Sequence, residues 1–211
     1  MERAQPRLQR VDLERLHPTQ ITVGLREVSL KRKEWKKLGR KSRQQMLESH
    51  WFPGVSGPDG RHYIVDHHHL GLALLKEEVA QVPLLVLRDL SFLDERSFWR
   101  VMEHHQWVHP YDANGQRHEF AALPHHLTRL QDDPYRSLAG ELRHIGGYAK
   151  DTTPFSEFLW ADFLRTRIAR SLVEDDFERA LQRAFKLARS QDARYLPGWS
   201  GPIPPVAVAA A

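Results

Sequence analysis

Apolar and polar positions along the chain follow two regimes. Strand-like patterning runs to about Leu90, and helical periods take over beyond it. Residues 11–30 read as an extended opening segment: Val11-Asp12-Leu13, then Leu16-His17-Pro18-Thr19-Gln20, then the alternating run Ile21-Thr22-Val23. A basic helix follows over roughly residues 30–49, with Trp35, Leu38 and Ser42 near helical spacing. Pro53, Gly54, Gly57, Pro58 and Gly60 mark a loop whose turn signal is Asp59-Gly60. Arg61 to Val65 has the β-branched and aromatic content of a short strand. Asp66 then stands as N-cap to a helix built on Leu70, Leu72, Ala73, Leu74 and Leu75, closed by Lys76-Glu77-Glu78. The continuous apolar run from Val82 to Leu87 predicts a buried strand, so strand, helix and strand form a compact βαβ-like unit.

Past Asp89 strand alternation disappears, and residues 92–190 are expected to be almost entirely helical. Phe92 to Trp107 is one helix, His109 to Gly115 a loop, and Leu123-Pro124 opens another short helix. Asp133-Pro134 gives an N-cap followed by proline at the first helical position, and Gly146-Gly147 ends that helix. Thr153-Pro154 repeats the start signal for Phe155 to Ile168. Ser171 to Glu174 forms a capping box for a last helix with Phe177, Leu181, Ala184 and Ala188 on its apolar stripe. From Pro197 onward, prolines and a closing alanine run predict a loosely held tail.

Composition narrows the class. The length allows one large domain, or one with a substantial appendage, and 41% apolar residues suffice for a core. No window approaches the roughly 18 apolar residues of a membrane span, and the N-terminus has no apolar secretory segment. With no cysteine there is no disulfide, thiolate metal site or cysteine nucleophile, and a cytoplasmic protein is expected. The net charge of +4 is unevenly placed. Lys31, Arg32, Lys33, Lys36, Lys37, Arg40, Lys41 and Arg43 are opposed in their window only by Glu34. That segment reads either as a patch for nucleic acid or another polyanion, or as a solvated helix face.

The chemistry concentrates at Asp66-His67-His68-His69, where strand gives way to helix. A helix start presents free backbone N–H groups and a positive dipole end, which suits phosphate. Imidazoles there could serve as general acid or base, or steady a transferring phosphoryl group. Adjacent helical residues point about 100° apart, so at most two histidines can act together, with Asp66 orienting one or binding Mg²⁺ or Mn²⁺. The alternative leaves Asp66 a cap and the histidines a mixed surface-and-core strip. In the helical half, Glu157 and Asp162 lie on a helix apolar around most of its circumference. Either they pair with Arg136, Arg143 or Arg165, or one faces the histidine turn and holds a metal or activates water. Asp112, Asn114 and Gly115 are ordinary turn residues, and the neighbour pairs His104-His105 and His125-His126 are expected on the surface.

Ile64 to Ala73 followed by Val82 to Val86 resembles the core of the ParB/sulfiredoxin superfamily, whose strand-to-helix turn holds nucleotide phosphates. Leu16 to Gln20 is similar to that fold's N-terminal segment, which implies that Gln20 completes the site beside His67, His68, His69 and Gly71. Asp132 to Leu138 and Phe155 to Phe163 extend the likeness over about residues 11–199 to the ParB-like putative nuclease family. The resemblance implies an α+β fold: a small mixed-sheet core over residues 1–91 and a helical extension over 92–199 packed on it. A flexible proline- and alanine-rich tail over 200–211 completes the chain. It also implies catalysis by Asp66, His68 and His69, with ATP, ADP or CTP as ligand.

Departures from the superfamily are specific. Sulfiredoxins need a turn cysteine that this chain lacks, which excludes sulfinic-acid reduction. Free-serine kinases of the superfamily carry Asp-Gly-His-His-Arg; here His67 replaces the glycine and Leu70 the arginine. Their catalytic glutamate corresponds to Thr19 or Gln20, neither of which is a carboxylate base. No clear helix-turn-helix follows the core. Two functions remain in view: phosphodiester hydrolysis or phosphoryl transfer at the turn, and a non-catalytic module that binds nucleotide or DNA. The oligomeric state is left open.

Overall fold

A computed structural model describes residues 7–202, which fall into two compact units dividing between Asp133 and Pro134. The first contains β1 (Arg7–Asp12), β2 (Leu16–Pro18), β3 (Thr22–Val23), α1 (Leu25–Lys37), α2 (Arg40–Ser49) and β4 (Phe52–Ser56). It continues with β5 (His62–Ile64), α3 (His68–Leu75), β6 (Gln81–Asp89), α4 (Glu95–His104) and β7 (Gln131–Asp132). The expected class, a mixed sheet accompanied by helices, is what the structure shows. The first unit reaches well past residue 91, because β7 runs back to pair in parallel with β3. Asp132 accepts the N–H of Leu25 at 2.8 Å and so caps α1 from a distant part of the chain.

The five-stranded sheet has the order β1-β6-β4-β5-β2. β1 is antiparallel to β6, β6 parallel to β4, β4 antiparallel to β5, and β5 parallel to β2. It follows that β5 and β6 run in opposite directions, and the segment read as βαβ-like is not a parallel crossover. The two edge strands, β1 and β2, are joined by only the three residues Leu13–Arg15. A connector that short can link opposite edges only if the sheet curls until they approach each other. A side-chain hydrogen bond records the approach: Gln9 on β1 meets His62 on β5 at 3.2 Å, although β6 and β4 separate these strands in the sheet.

Residues 52–56, expected to be loop, form the central strand. Pro53 and Gly54 suggested a break in the sequence, yet a register shift between Gly54 and Val55 accommodates them. Gly54 fits because nothing larger would. A Cβ there would lie 2.7 Å from Leu84 Cδ1 and 2.8 Å from the carbonyl oxygen of Tyr63. Tyr63 and Ile64 point to opposite faces, as period-two side chains must. Ile64 joins Leu16, Phe52, Leu84, Trp35 of α1 and Leu72 of α3 in one core. Tyr63 joins Val55 and the α4 residues Phe98, Trp99 and Met102 in the other.

The single basic helix expected over residues 30–49 is two helices, α1 and α2, separated at Leu38-Gly39. Residues 105–133 are not helical beyond short 3-10 turns, since Pro110, Gly115 and Pro124 interrupt any longer ladder. The second unit holds α5 (Pro134–His144), α6 (Ser156–Arg165), α7 (Arg170–Asp175) and α8 (Phe177–Ala188). α5 starts at the predicted proline. The predicted last helix is broken at Asp176, whose carboxylate caps α8 by accepting from Arg179 N–H at 3.1 Å. Tyr148 stacks on Trp160 with ring centroids 4.2 Å apart at the centre of this unit's core. Pro197 and Gly198 are not loose, because the Trp160 indole donates to Pro197 O and Ala149 N–H donates to Gly198 O, each at 2.8 Å. Beyond Pro202, the expected flexible tail lies outside the described residues.

Gly54→Ala is expected to cost about 1–3 kcal/mol by overpacking the sheet, since backbone cannot move aside. Gly39→Ala, where nothing lies within 4 Å, should cost no more than about 1 kcal/mol, the N-cap preference for glycine over alanine. Chemical denaturation of both variants measures the contrast.

Candidate functional site

β5 ends at Ile64, and Val65 still donates its N–H to Pro53 O at 2.9 Å. Asp66 then accepts the N–H of His67 at 2.6 Å. His67, not Asp66, occupies the N-cap position of α3, in the left-handed conformation with φ 66° and ψ 22°. That backbone is uncommon for a residue with a side chain, and it stands where related turns carry glycine. α3 has no side-chain cap. Its first intrahelical bond is Gly71 N–H to His67 O at 2.8 Å, which leaves the helix's leading N–H groups without an intrahelical carbonyl. Asp66 is exposed beside them.

The His67 ring is partly buried, edge-on to Phe52 at 5.7 Å, and its Nδ1 is buried without a hydrogen-bond partner. Burial lowers its pKa; Asp66 opposes the shift, while His50 and Lys31 add to it. The last two were not picked out as turn residues from sequence. Lys31 projects from α1 and His50 follows α2, so the basic segment and the histidine turn form one electrostatic neighbourhood. Nothing local in the sequence signals this, because the helices are aligned by apolar residues such as Trp35 and Leu72.

His68 and His69 are buried, at 3% and 8% exposure. Thr19 N–H donates to His68 Nε2 at 3.0 Å, and Gly24 N–H donates to His69 Nε2 at 2.9 Å. Each of these nitrogens therefore acts as an acceptor and carries no proton. Burial pushes the His68 pKa down to about 3, against an opposing effect of Asp66. Glu27 of α1 lies 3.5 Å from His69 Nε2 and 3.5 Å from Lys31 Nζ; with Nε2 unprotonated, the carboxylate's ionic partner is Lys31.

Gln20 is buried and donates its amide to Thr22 O at 2.6 Å, which stiffens the segment approaching the turn. Thr19 Oγ1 donates to Ile64 O at 2.8 Å and fastens the same segment to the end of β5. Gly71 sits inside α3, where a Cβ would come within 3.1 Å of Leu127 and 3.2 Å of Phe52; its place is set by close packing. Glu157 forms ion pairs with Arg136 and with Arg143, the latter at 2.7 Å, and Asp162 pairs with Arg165. Burial raises the Asp162 pKa while Arg165 opposes it. Both acids thus have arginine partners inside the second unit.

Much of the basic segment is neutralised locally. Glu27 meets Lys31, while Glu77 takes Arg32 at 2.7 Å and Lys36 at 3.5 Å. Arg43 lies over the Trp35 ring at 5.1 Å. Lys33, Lys37, Arg40 and Lys41 remain exposed. Among the described residues no three His, Asp or Glu groups are placed to hold a metal ion. Asp66 alone is a single carboxylate and does not make a resident metal site; Mg²⁺ usually takes one or two carboxylates together with substrate phosphates. No helix among the described residues is long and apolar enough to cross a membrane.

A curled mixed sheet whose β5–α3 turn opens a helix beside a basic segment defines a ParB-type core. The chain belongs to the family described as "Putative ParB-like nuclease", which matches residues 9–166. A crystal structure of protein Atu1540 from Agrobacterium tumefaciens is 51% identical and superimposes with a TM-score of 0.87, covering 93% of this chain and 99% of that one. No curated protein matches the chain.

His68 gives the fold a defined pH response. An unfolded histidine takes up a proton near its ordinary value of 6.5, whereas buried His68 resists until about 3. The unfolded state therefore binds more protons throughout that window, and stability should be full above pH 6.5 and fall progressively toward pH 4. His68→Gln keeps an acceptor for Thr19 N–H and removes the titration, so its unfolding midpoint should depend less on pH in that range. Thermal unfolding of both proteins between pH 4 and 8 measures the difference.

Proposed function

We propose that the protein binds the phosphates of nucleic acid or a nucleotide at the β5–α3 turn. The observation that carries this is the meeting of an uncapped helix N-terminus with Lys31 and His50 around His67. A positive helix end and a nearby lysine are what phosphate oxygens select. The exposed Lys33, Lys37, Arg40 and Lys41 extend the positive surface along α1 and α2, which favours a strand of nucleic acid over an isolated phosphate. His68 and His69 support the site indirectly: their acceptor nitrogens hold the Thr19–Gly24 segment against α3. The proton shuttle expected of them is therefore the weaker part of the sequence-based reading.

Phosphodiester hydrolysis is the second reading, and exposed Asp66 beside the helix start favours it. A divalent ion arriving with the phosphates would belong to the bound ligand, and ATP, ADP and CTP are the nucleotide probes of the same site.

Fluorescence anisotropy with a labelled single-stranded oligonucleotide tests the binding. Changing Lys33, Lys37, Arg40 and Lys41 to glutamine should weaken it and flatten its salt dependence, by about 0.7 in log–log slope for each phosphate no longer neutralised. Without divalent ions, Asp66→Asn should bind more tightly, because a negative charge beside phosphate is removed. Cleavage of the oligonucleotide with Mg²⁺ or Mn²⁺ that disappears in Asp66→Asn supports hydrolysis. Unchanged affinity and salt slope in the four-charge variant, together with unchanged affinity in Lys31→Gln, would overturn the reading.

A further inference from the structure

The curl of the sheet leaves a cavity of about 840 Å³ beside the facing edges, lined by Arg10, Arg15, His17, Arg61, His62 and His126 among others. None of the turn residues Lys31, Asp66 and His67 lines it. We infer that this cavity is a second binding site, distinct from the turn, that takes a small phosphate-bearing ligand of the nucleoside mono- or diphosphate class.

The lining is formally balanced, three arginines against three carboxylates, and the groups available to an anion are the arginines without ion-pair partners. Three carboxylates also line the cavity. Asp59 stands 3.7 Å from Arg61, and Asp12 accepts the Gln81 amide at 3.0 Å, so two of them are already engaged. Glu14 is exposed on the short connector. Among the described residues Arg10 and Arg15 have no ion-pair partner, although Arg15 is close enough to His62 for its charge to disfavour protonation there. Guanidinium forks match phosphate oxygens in pairs, and Arg10 and Arg15, both lining the cavity, are the groups that would take the phosphate. The three acids balance the three arginines formally, so the lining suits a small mono- or diphosphate better than a polyanionic strand. The volume lies within the roughly 300–1,000 Å³ range of small-molecule sites.

The rings supply the rest of the ligand class. His17 packs on Tyr63 with centroids 5.2 Å apart, lies near-parallel to His126 at 6.2 Å, and meets His125 edge-on at 6.5 Å. His62 is fixed by Gln9 at 3.2 Å and Ser56 at 3.3 Å. Burial first, then the charge of Arg61 and the surrounding histidines, pushes His17 down to about 4. His17 is thus a neutral, flat surface at physiological pH, able to stack a nucleobase while the arginines take its phosphate.

Calorimetric titration with adenosine 5′-diphosphate and with inorganic pyrophosphate tests the assignment on the full chain. Wild type should bind both saturably, the nucleotide more tightly. Arg10→Gln/Arg15→Gln should weaken both at least tenfold while leaving oligonucleotide binding at the turn intact, which separates this site from the turn. As a measurement independent of these variants, the imidazole C2–H resonances of His17 and His126 should shift during the wild-type titration. Equal affinity in the double arginine variant would overturn the assignment. So would a wild-type titration without saturable heat or histidine shifts at millimolar ligand.

Discussion

Two buried imidazoles accepting backbone N–H bonds are the interactions on which the β5–α3 end of the first unit depends. Thr19 N–H and Gly24 N–H have no strand partner where they sit, and an unmet N–H in such a place would cost about 1–3 kcal/mol. His68 and His69 meet both from adjacent positions on one helix. The segment between these two residues contains Gln20 and β3, and β3 recruits β7 and with it the Asp132 cap of α1. Losing either acceptor would loosen the chain from the end of β2 to the start of the basic helix.

The sheet imposes the second constraint. Pro53 and Gly54 occupy its central strand because close backbone approach at 54 requires a residue without a Cβ, and Pro53 lies just outside the β4–β5 ladder, where only its carbonyl is used. This is why composition pointed the wrong way at residues 52–56 while Tyr63-Ile64, Leu70–Leu75 and Val82–Leu87 were legible. The latter stretches carry apolar periods that local geometry obeys. A proline–glycine pair inside a strand is licensed only by neighbours distant in sequence. In the helical half, Pro134 and Gly146 marked their boundaries correctly, since caps are local. The break at Asp176 was concealed by a capping box five residues earlier.

The strand-to-helix turn was legible in position, and the contacts of its histidines were less so. Asp66 to His69 stands out because consecutive histidines at a strand-to-helix transition are unusual, and the turn is where the chain predicts it. The direction in which each imidazole points depends on where Thr19 and Gly24 arrive, and no spacing rule contains that. The same limit applies to Lys31 and His50, brought to the turn by helix packing, and to His17, His62 and His126, which gather from β2, β5 and a later loop. Histidines so far apart in sequence give no motif. Only the curl of the sheet makes them neighbours.

The three-residue link between β1 and β2 has a consequence for how the chain can fold. These strands are adjacent in sequence but pair with β6 and β5, so β1 waits for residues 81–89 and β2 for residues 62–64. Closing such long loops before any pairing rewards it slows assembly, as it does for non-local sheets generally. The N-terminal strand therefore docks among the last elements rather than the first. Until then β6 presents an open edge, and the newly made chain passes through a stage in which that strand is available for pairing with another molecule.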